Sequence, residues 1–120
     1  MMILTTFEKA LLLHLIGDWI LQNEWMAVKK VRLSHPAAWM HGTIHGVLLG
    51  SVFGWVGGLV LGIVHMLVDT RVPIRWWIRV FKKCDDAPDL QILLIGCDQV
   101  IHICCIGAWM MLASRMRWGS

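Results

Sequence analysis

Charge is scarce in this chain. Only 16% of its 120 residues are charged, against about 25% in soluble domains, while 58% are hydrophobic and the mean hydropathy is +0.64. Those values exclude an ordinary soluble domain and predict a small, helical, integral-membrane protein of one domain, residues 1–120. Thiol chemistry is thin as well. Cys84, Cys97, Cys104 and Cys105 form no CxxC pair, and three of them lie in an apolar run, so they read as small, reduced, buried hydrophobes rather than ligands or disulfides. The opening MMILTTFEK has no basic n-region and no small-x-small cleavage site, so the first helix is expected to stay. The net charge of +3 is modest and most Lys and Arg fall in two blocks, which points to membrane topology and not to nucleic acid.

What the chain does have is a set of polar pairs inside apolar runs. In HLIGDWILQ, His14, Asp18 and Gln22 are four residues apart and share one helix face. The same spacing recurs in His41 and His45, His65 and Asp69, and Asp98 and His102. An ionised Asp at the centre of a membrane helix costs roughly 2.5–3.5 kcal/mol on insertion scales, so three of them in spans call for partners. Each has a histidine four residues away.

The expected architecture is a four-transmembrane-helix bundle with approximate spans 7–27, 37–52, 56–70 and 90–113. Thr5 and Glu8 have the spacing of a capping box at the first helix, and Pro36 suits the first turn of the second. The apolar stretch from Ala37 to Val68 is too long for one span of about 20 residues, and the glycine-rich segment around Gly54, Gly57 and Gly58 is the natural place to turn. A hairpin closed there brings His45 level with His65, and His41 level with Asp69. Between the third and fourth spans, residues 73–83 form a cationic helix suited to the headgroup region, with Arg71, Arg75 and Arg79 four apart. His35, beside Pro36, reads as solvated or headgroup-facing, and the eight tryptophans read mostly as interface anchors.

Charge then sets orientation. Lys29, Lys30 and Arg32 follow the first helix, and Arg71, Arg75, Arg79, Lys82 and Lys83 follow the third, against Lys9, Arg115 and Arg117 on the opposite side. The positive-inside rule makes both basic loops cytoplasmic and both termini external. All four polar pairs then fall in the cytoplasmic half or near the midplane.

Two ligands at i and i+4 can grip one ion, and helical bundles build metal sites from such pairs on facing helices. The expected ligands are His14, Asp18, His41, His45, His65, Asp69, Asp98 and His102. Nitrogen and oxygen donors without thiolate suit zinc first, with manganese or iron as alternatives, as one or two ions. Asp18 or Asp98 is the expected general base, and Gln22, Gln99, Arg71 and Arg75 are the expected substrate-binding residues. A proton pathway, a structural hydrogen-bond network and haem ligation by paired histidines are competing readings. Haem would leave three buried aspartates unexplained.

HLIGDWILQNEWMAVKK, followed by MHGTIHG, VHMLVD and DQVIH, resembles a bacterial and phage membrane family known as a domain of unknown function, number three-three-zero-seven. The resemblance runs over nearly the whole chain. It implies a small helical membrane protein with this polar signature and supplies no reaction. In layout alone the chain is also similar to inner-membrane proteins described as metal-dependent hydrolases. The expected function is therefore a membrane-embedded, metal-dependent hydrolase of the bacterial inner membrane. Its substrate would be a lipid-like or phosphate- or acyl-containing molecule reached from the cytoplasmic side. The alternatives are a metal or proton transporter and a non-catalytic module pinned by metal. The partners expected are the lipid bilayer, an anionic or lipid-like substrate and no nucleic acid, with a second copy able to complete the short hairpin.

Overall fold

The computed structural model describes residues 2–118, with side chains through residue 116, and among them every regular element is helical. The side chain of Arg117, one of the cations expected opposite the basic loops, lies outside the described residues. Helix α1 spans Thr6–Leu15 and opens on the capping box that its sequence predicts. Thr5 Oγ1 accepts from the Glu8 N–H at 3.2 Å, and Glu8 Oε2 accepts from the Thr5 N–H at 2.6 Å.

The first expected span, 7–27, is not one α-helix. After Leu15 the chain widens into a π-helical turn, Ile16–Ile20, then leaves helical structure before α2, Glu24–Lys29. Asn23 makes the break. Its backbone is extended, and its Oδ1 accepts from the Met26 N–H at 2.9 Å, so it starts a new helix instead of continuing the old one.

Helix α3, Pro36–Asp69, begins with Pro36 in its first turn. Its cap is His35, whose Nδ1 accepts from the Ala37 N–H at 3.1 Å. That residue, half-buried between exposed neighbours, therefore has a structural task beside the solvated or headgroup-facing role expected for it. Within α3, Gly54 has φ 86° and ψ 174°, and the chain folds back there into two arms, residues 36–53 and 55–69. A positive φ of this kind is open to glycine and strained for other residues. The arms press together backbone on backbone. A Cβ placed on Gly58 would stand 2.5 Å from the Gly46 carbonyl oxygen and 2.7 Å from the Gly50 Cα.

Arg71, in the left-handed region, turns the chain into α4, Val72–Trp77, which runs on as a second π turn, Ile78–Lys82. Ile74 and Ile78 are buried, whereas Arg75 and Arg79 are exposed, as an amphipathic segment requires. Helix α5, Leu90–Trp118, completes the fold.

Two apolar layers form the core. One joins Ala10, Leu49, Leu61 and Ile106, and the other joins Val68, Ile74, Ile78 and Leu94. The residues one helical step inward from these layers are the polar ones. Along α1 the order is Ala10, His14, then Asp18 in the π turn. Along the hairpin it is His41, His45, Leu49 and then Leu61, His65, Asp69, and along α5 it is Leu94, Asp98, His102, Ile106. The outer faces are apolar: Trp19, Trp39, Val47, Leu59, Ile63, Ile92 and Val100 are all about half exposed or more. Pro36–Asp69 and Leu90–Met116 are long and apolar enough to cross a membrane, the first of them doubled back at Gly54.

Candidate metal centre

The eight histidines and aspartates singled out by their spacing converge at one place. His14, Asp18, His41, His45, His65, Asp69, Asp98 and His102 are each at most 8% exposed, and Asp98 is the most open of them. They come from α1 and its π turn, both arms of α3, and α5.

Asp18 and Asp69 are the hubs. Asp18 Oδ1 lies 2.9 Å from His45 Nε2, 3.0 Å from His41 Nε2 and 3.5 Å from His65 Nε2. Asp69 Oδ2 lies 3.1 Å from His65 Nε2 and 3.3 Å from His41 Nε2, and Asp69 Oδ1 lies 3.1 Å from His102 Nε2. His41 and His65 face each other nitrogen to nitrogen at 3.1 Å. Asp98 Oδ1 is 3.5 Å from His102 Nε2, and His14 Nε2 is 3.5 Å from Asp18 Oδ2.

These spacings suit a cation. Ligand atoms held about 2.0–2.1 Å from a tetrahedral zinc ion stand about 3.3 Å from one another. One ligand atom each from Asp18, His41, His45 and His65 lies within 4.8 Å of all the others, as is true of His65, Asp69 and His102 and of Asp18, Asp98 and His102. Several nitrogen–oxygen pairs among these residues stand 2.9–3.3 Å apart. Asp69 Oδ2 is buried with no hydrogen-bond partner although two imidazole nitrogens stand beside it. A buried carboxylate oxygen without a proton to accept is costly, and an ion among the same atoms would satisfy it. The buried His/Asp clusters can hold a metal ion.

Packing orients the rings. The Nδ1 atoms of His41 and His45 are buried without partners, so the hydrogen bond that commonly fixes a ligating histidine is missing at both. Instead, the His45 ring stacks on His65 with centroids 3.5 Å apart, and His65 stacks on His102 at 4.0 Å. Gly17, in the π turn, leaves the space that the His45 ring occupies, since a Cβ there would lie 2.7 Å from the ring's Cε1 and Nε2. Extra residues in π turns commonly re-aim side chains at functional sites, and this turn delivers Asp18.

Of the four residues expected to bind substrate, Gln99 is built into the centre. Its Nε2 donates to Asp18 Oδ2 at 2.9 Å and to Asp98 Oδ2 at 3.3 Å, and its Oε1 pairs with His14 Nε2 at 3.2 Å. Gln22 is half-buried, with an unpartnered buried Oε1. Arg71 and Arg75 make no ion pair with the cluster among the described residues. Arg75 instead lines a separate cavity of about 250 Å³ with Arg79 and Asp85. The cation at the centre is Lys30, only 7% exposed, with Nζ 3.3 Å from Asp69 Oδ1. By sequence Lys30 is one of a run of basic loop residues, and nothing local distinguishes it from Lys29.

A protein-family model matches residues 6–118, and the family is described as a protein of unknown function, DUF3307. The chain belongs to this family. The match takes in every residue of the DUF3307 centre described above. No curated protein and no solved structure matches this DUF3307 chain.

Proposed function

We propose that this protein is a multi-pass membrane protein of the bacterial inner membrane that uses its buried His/Asp centre as a divalent-metal site for hydrolysis of an anionic, lipid-like ester. The observation that carries the reading is the convergence of five imidazole Nε2 atoms on Asp18, Asp69 and Asp98, with Asp69 Oδ2 lacking any hydrogen-bond partner. Zinc suits these nitrogen and oxygen donors, as do manganese and iron. The membrane reading is supported by an inverted distribution of polarity, with charge enclosed and large apolar side chains outside. The hairpin brings the basic residues after α2 and after α3 to one end of the bundle, which supports the orientation with those loops in the cytoplasm and both termini outside.

A divalent metal held by these histidines and aspartates would supply Lewis acidity and lower the pKa of a water. In a phosphoester substrate, the water oxygen forms a new bond to phosphorus, the ester P–O bond breaks, and the departing oxygen takes up a proton. Asp98 is the better-placed base. It is the most exposed of the three carboxylates, and its Oδ2 is engaged only by the Gln99 amide, whereas Asp18 Oδ1 already faces three imidazoles. Lys30, at the basic end and paired with Asp69, is the group closest to hand to hold the anion, ahead of Arg71 and Arg75.

One observation favours a second reading. The void against His14, His65 and His102 is only about 10 Å³, too small for a substrate, which suits a metal that pins helices together without turnover. Elemental analysis of detergent-purified protein, followed by hydrolysis of bis(p-nitrophenyl) phosphate and of phosphatidic acid, tests both. Bound metal with turnover that His45→Ala abolishes supports the hydrolase, and bound metal whose removal unfolds an inactive protein supports the structural reading. Absence of stoichiometric metal would defeat both.

A further inference from the structure

The two hub carboxylates are divided, oxygen by oxygen, between different partners. Asp69 turns Oδ2 to His41 and His65 and Oδ1 to His102, at 3.3, 3.1 and 3.1 Å. Asp18 turns Oδ1 to His41, His45 and His65 and keeps Oδ2 for the side of His14 and Gln99. Asp98 Oδ1 lies beside His102, and ligand atoms of Asp18, Asp98 and His102 come within 4.8 Å of one another. A carboxylate whose two oxygens serve two donor sets is the geometry of a bridge between ions spaced about 3.5–4 Å apart.

We infer that the centre is dinuclear, resting on the hydrolytic metal reading and extending it. One ion is held by His41, His45 and His65 with Asp18 Oδ1 and Asp69 Oδ2. The other is held by His102 and Asp98, with the remaining oxygens of Asp69 and Asp18 closing the bridge.

Charge decides the count in the same direction. Three carboxylates and the Lys30 ammonium leave two negative charges. One divalent ion brings the empty centre to neutrality, but a hydroxide nucleophile and a phosphodiester would then leave two negative charges uncompensated in a buried site. Two divalent ions leave two positive charges at rest, which that nucleophile and that substrate neutralise. A site enclosed by apolar layers selects the arrangement that is neutral with its reactants bound. The same count assigns the substrate class: a monoanionic phosphodiester fits the two-ion centre, and a dianionic monoester exceeds it by one charge.

The probe is Mn(II), loaded into the detergent-purified full chain after chelation, counted by mass spectrometry and read by electron paramagnetic resonance. Two ions per chain with an exchange-coupled spectrum are expected. One ion per chain overturns the dinuclear centre and leaves the metal reading standing, two uncoupled ions overturn the carboxylate bridge, and none overturns both. His45→Gln and Asp98→Asn are each expected to bind one ion and to give the spectrum of isolated Mn(II), with helical content held constant by circular dichroism. Two coupled ions retained in Asp98→Asn would overturn the assignment of the second position. The wild-type count stands as a test even if either variant fails to fold.

Discussion

The two ends of the α3 hairpin are built from the same helix pair and do opposite things. Toward Gly54 the arms meet through Gly46, Gly50 and Gly58, with no side chain between them. Toward Pro36 and Asp69 the same arms carry His41, His45, His65 and Asp69, and the space between and beside them is filled by imidazoles and carboxylates. The first end fixes how close the helices come, and the second uses that closeness. Ring stacking at 3.5 Å between His45 and His65 is possible because Gly46, next to His45, and Gly50 and Gly58, within two turns of the rings, bring the arms together.

The largest expected effect breaks the glycine end. Gly58→Leu puts a branched side chain where even a Cβ would overlap the opposing backbone, and backbone cannot step aside as a side chain can. The expected loss is about 3 kcal/mol of stability, read by thermal unfolding in detergent, with metal binding lost alongside. A variant with unchanged unfolding temperature would show that the arms do not need their close approach. Next is the polar end. Asp18→Asn removes the charge that faces three imidazoles while keeping the shape, and should weaken metal affinity about 100-fold in competition with a chromophoric chelator, with little change in helical content.

A smaller effect couples the two ends. Gly17→Ala pushes a methyl into the His45 ring and should cost about tenfold in metal affinity, about 1.4 kcal/mol, with normal folding. Gly96→Ala, where a new Cβ meets nothing within 4 Å, is the control and should bind metal as the wild type does. If the two variants behave alike, His45 is not positioned by that contact. The smallest effect lies outside the comparison altogether. Thr5→Ala removes the cap of α1 and should cost about 1 kcal/mol of stability while leaving metal affinity unchanged.

Much of the cluster was legible because its residues obey a local rule. Residues four apart on a helix face the same way, so the His/Asp pairs could be read as four polar stripes, and a hairpin turning near Gly54 was enough to align two of them. The break in the first span was harder to see. Ala10 to Leu21 is apolar apart from His14, Gly17 and Asp18, and the polar step Gln22, Asn23, Glu24 that follows falls within the single span expected over 7–27, whereas Asn23 ends the helix by accepting from the Met26 N–H. Lys30 and Gly17 were not legible. One is a lysine among basic neighbours whose burial depends on Asp69, 39 residues further along the chain, and the other is a glycine whose missing side chain matters only because His45 arrives from a different helix. Arg71 and Arg75 are near Asp69 in sequence, but Arg71 stands in a left-handed turn ahead of α4 and Arg75 lines a cavity with Arg79 and Asp85, so their place beside the chain's polar stripes does not follow from spacing alone.

The reversal at Gly54 also makes the protein uneven in height. At 1.5 Å per residue, the arms 36–53 and 55–69 reach about 27 and 22 Å, whereas Leu90–Met116 reaches about 40 Å. A hydrocarbon layer is about 30 Å thick, so in a bilayer the hairpin is too short and α5 too long. In the bilayer placement proposed above, hydrophobic mismatch of opposite sign on two sides of one small bundle would tilt α5 and dimple the membrane over the hairpin. The dimple would shorten the path from lipid headgroups to the histidines, and bilayer thickness would thereby control access to the centre.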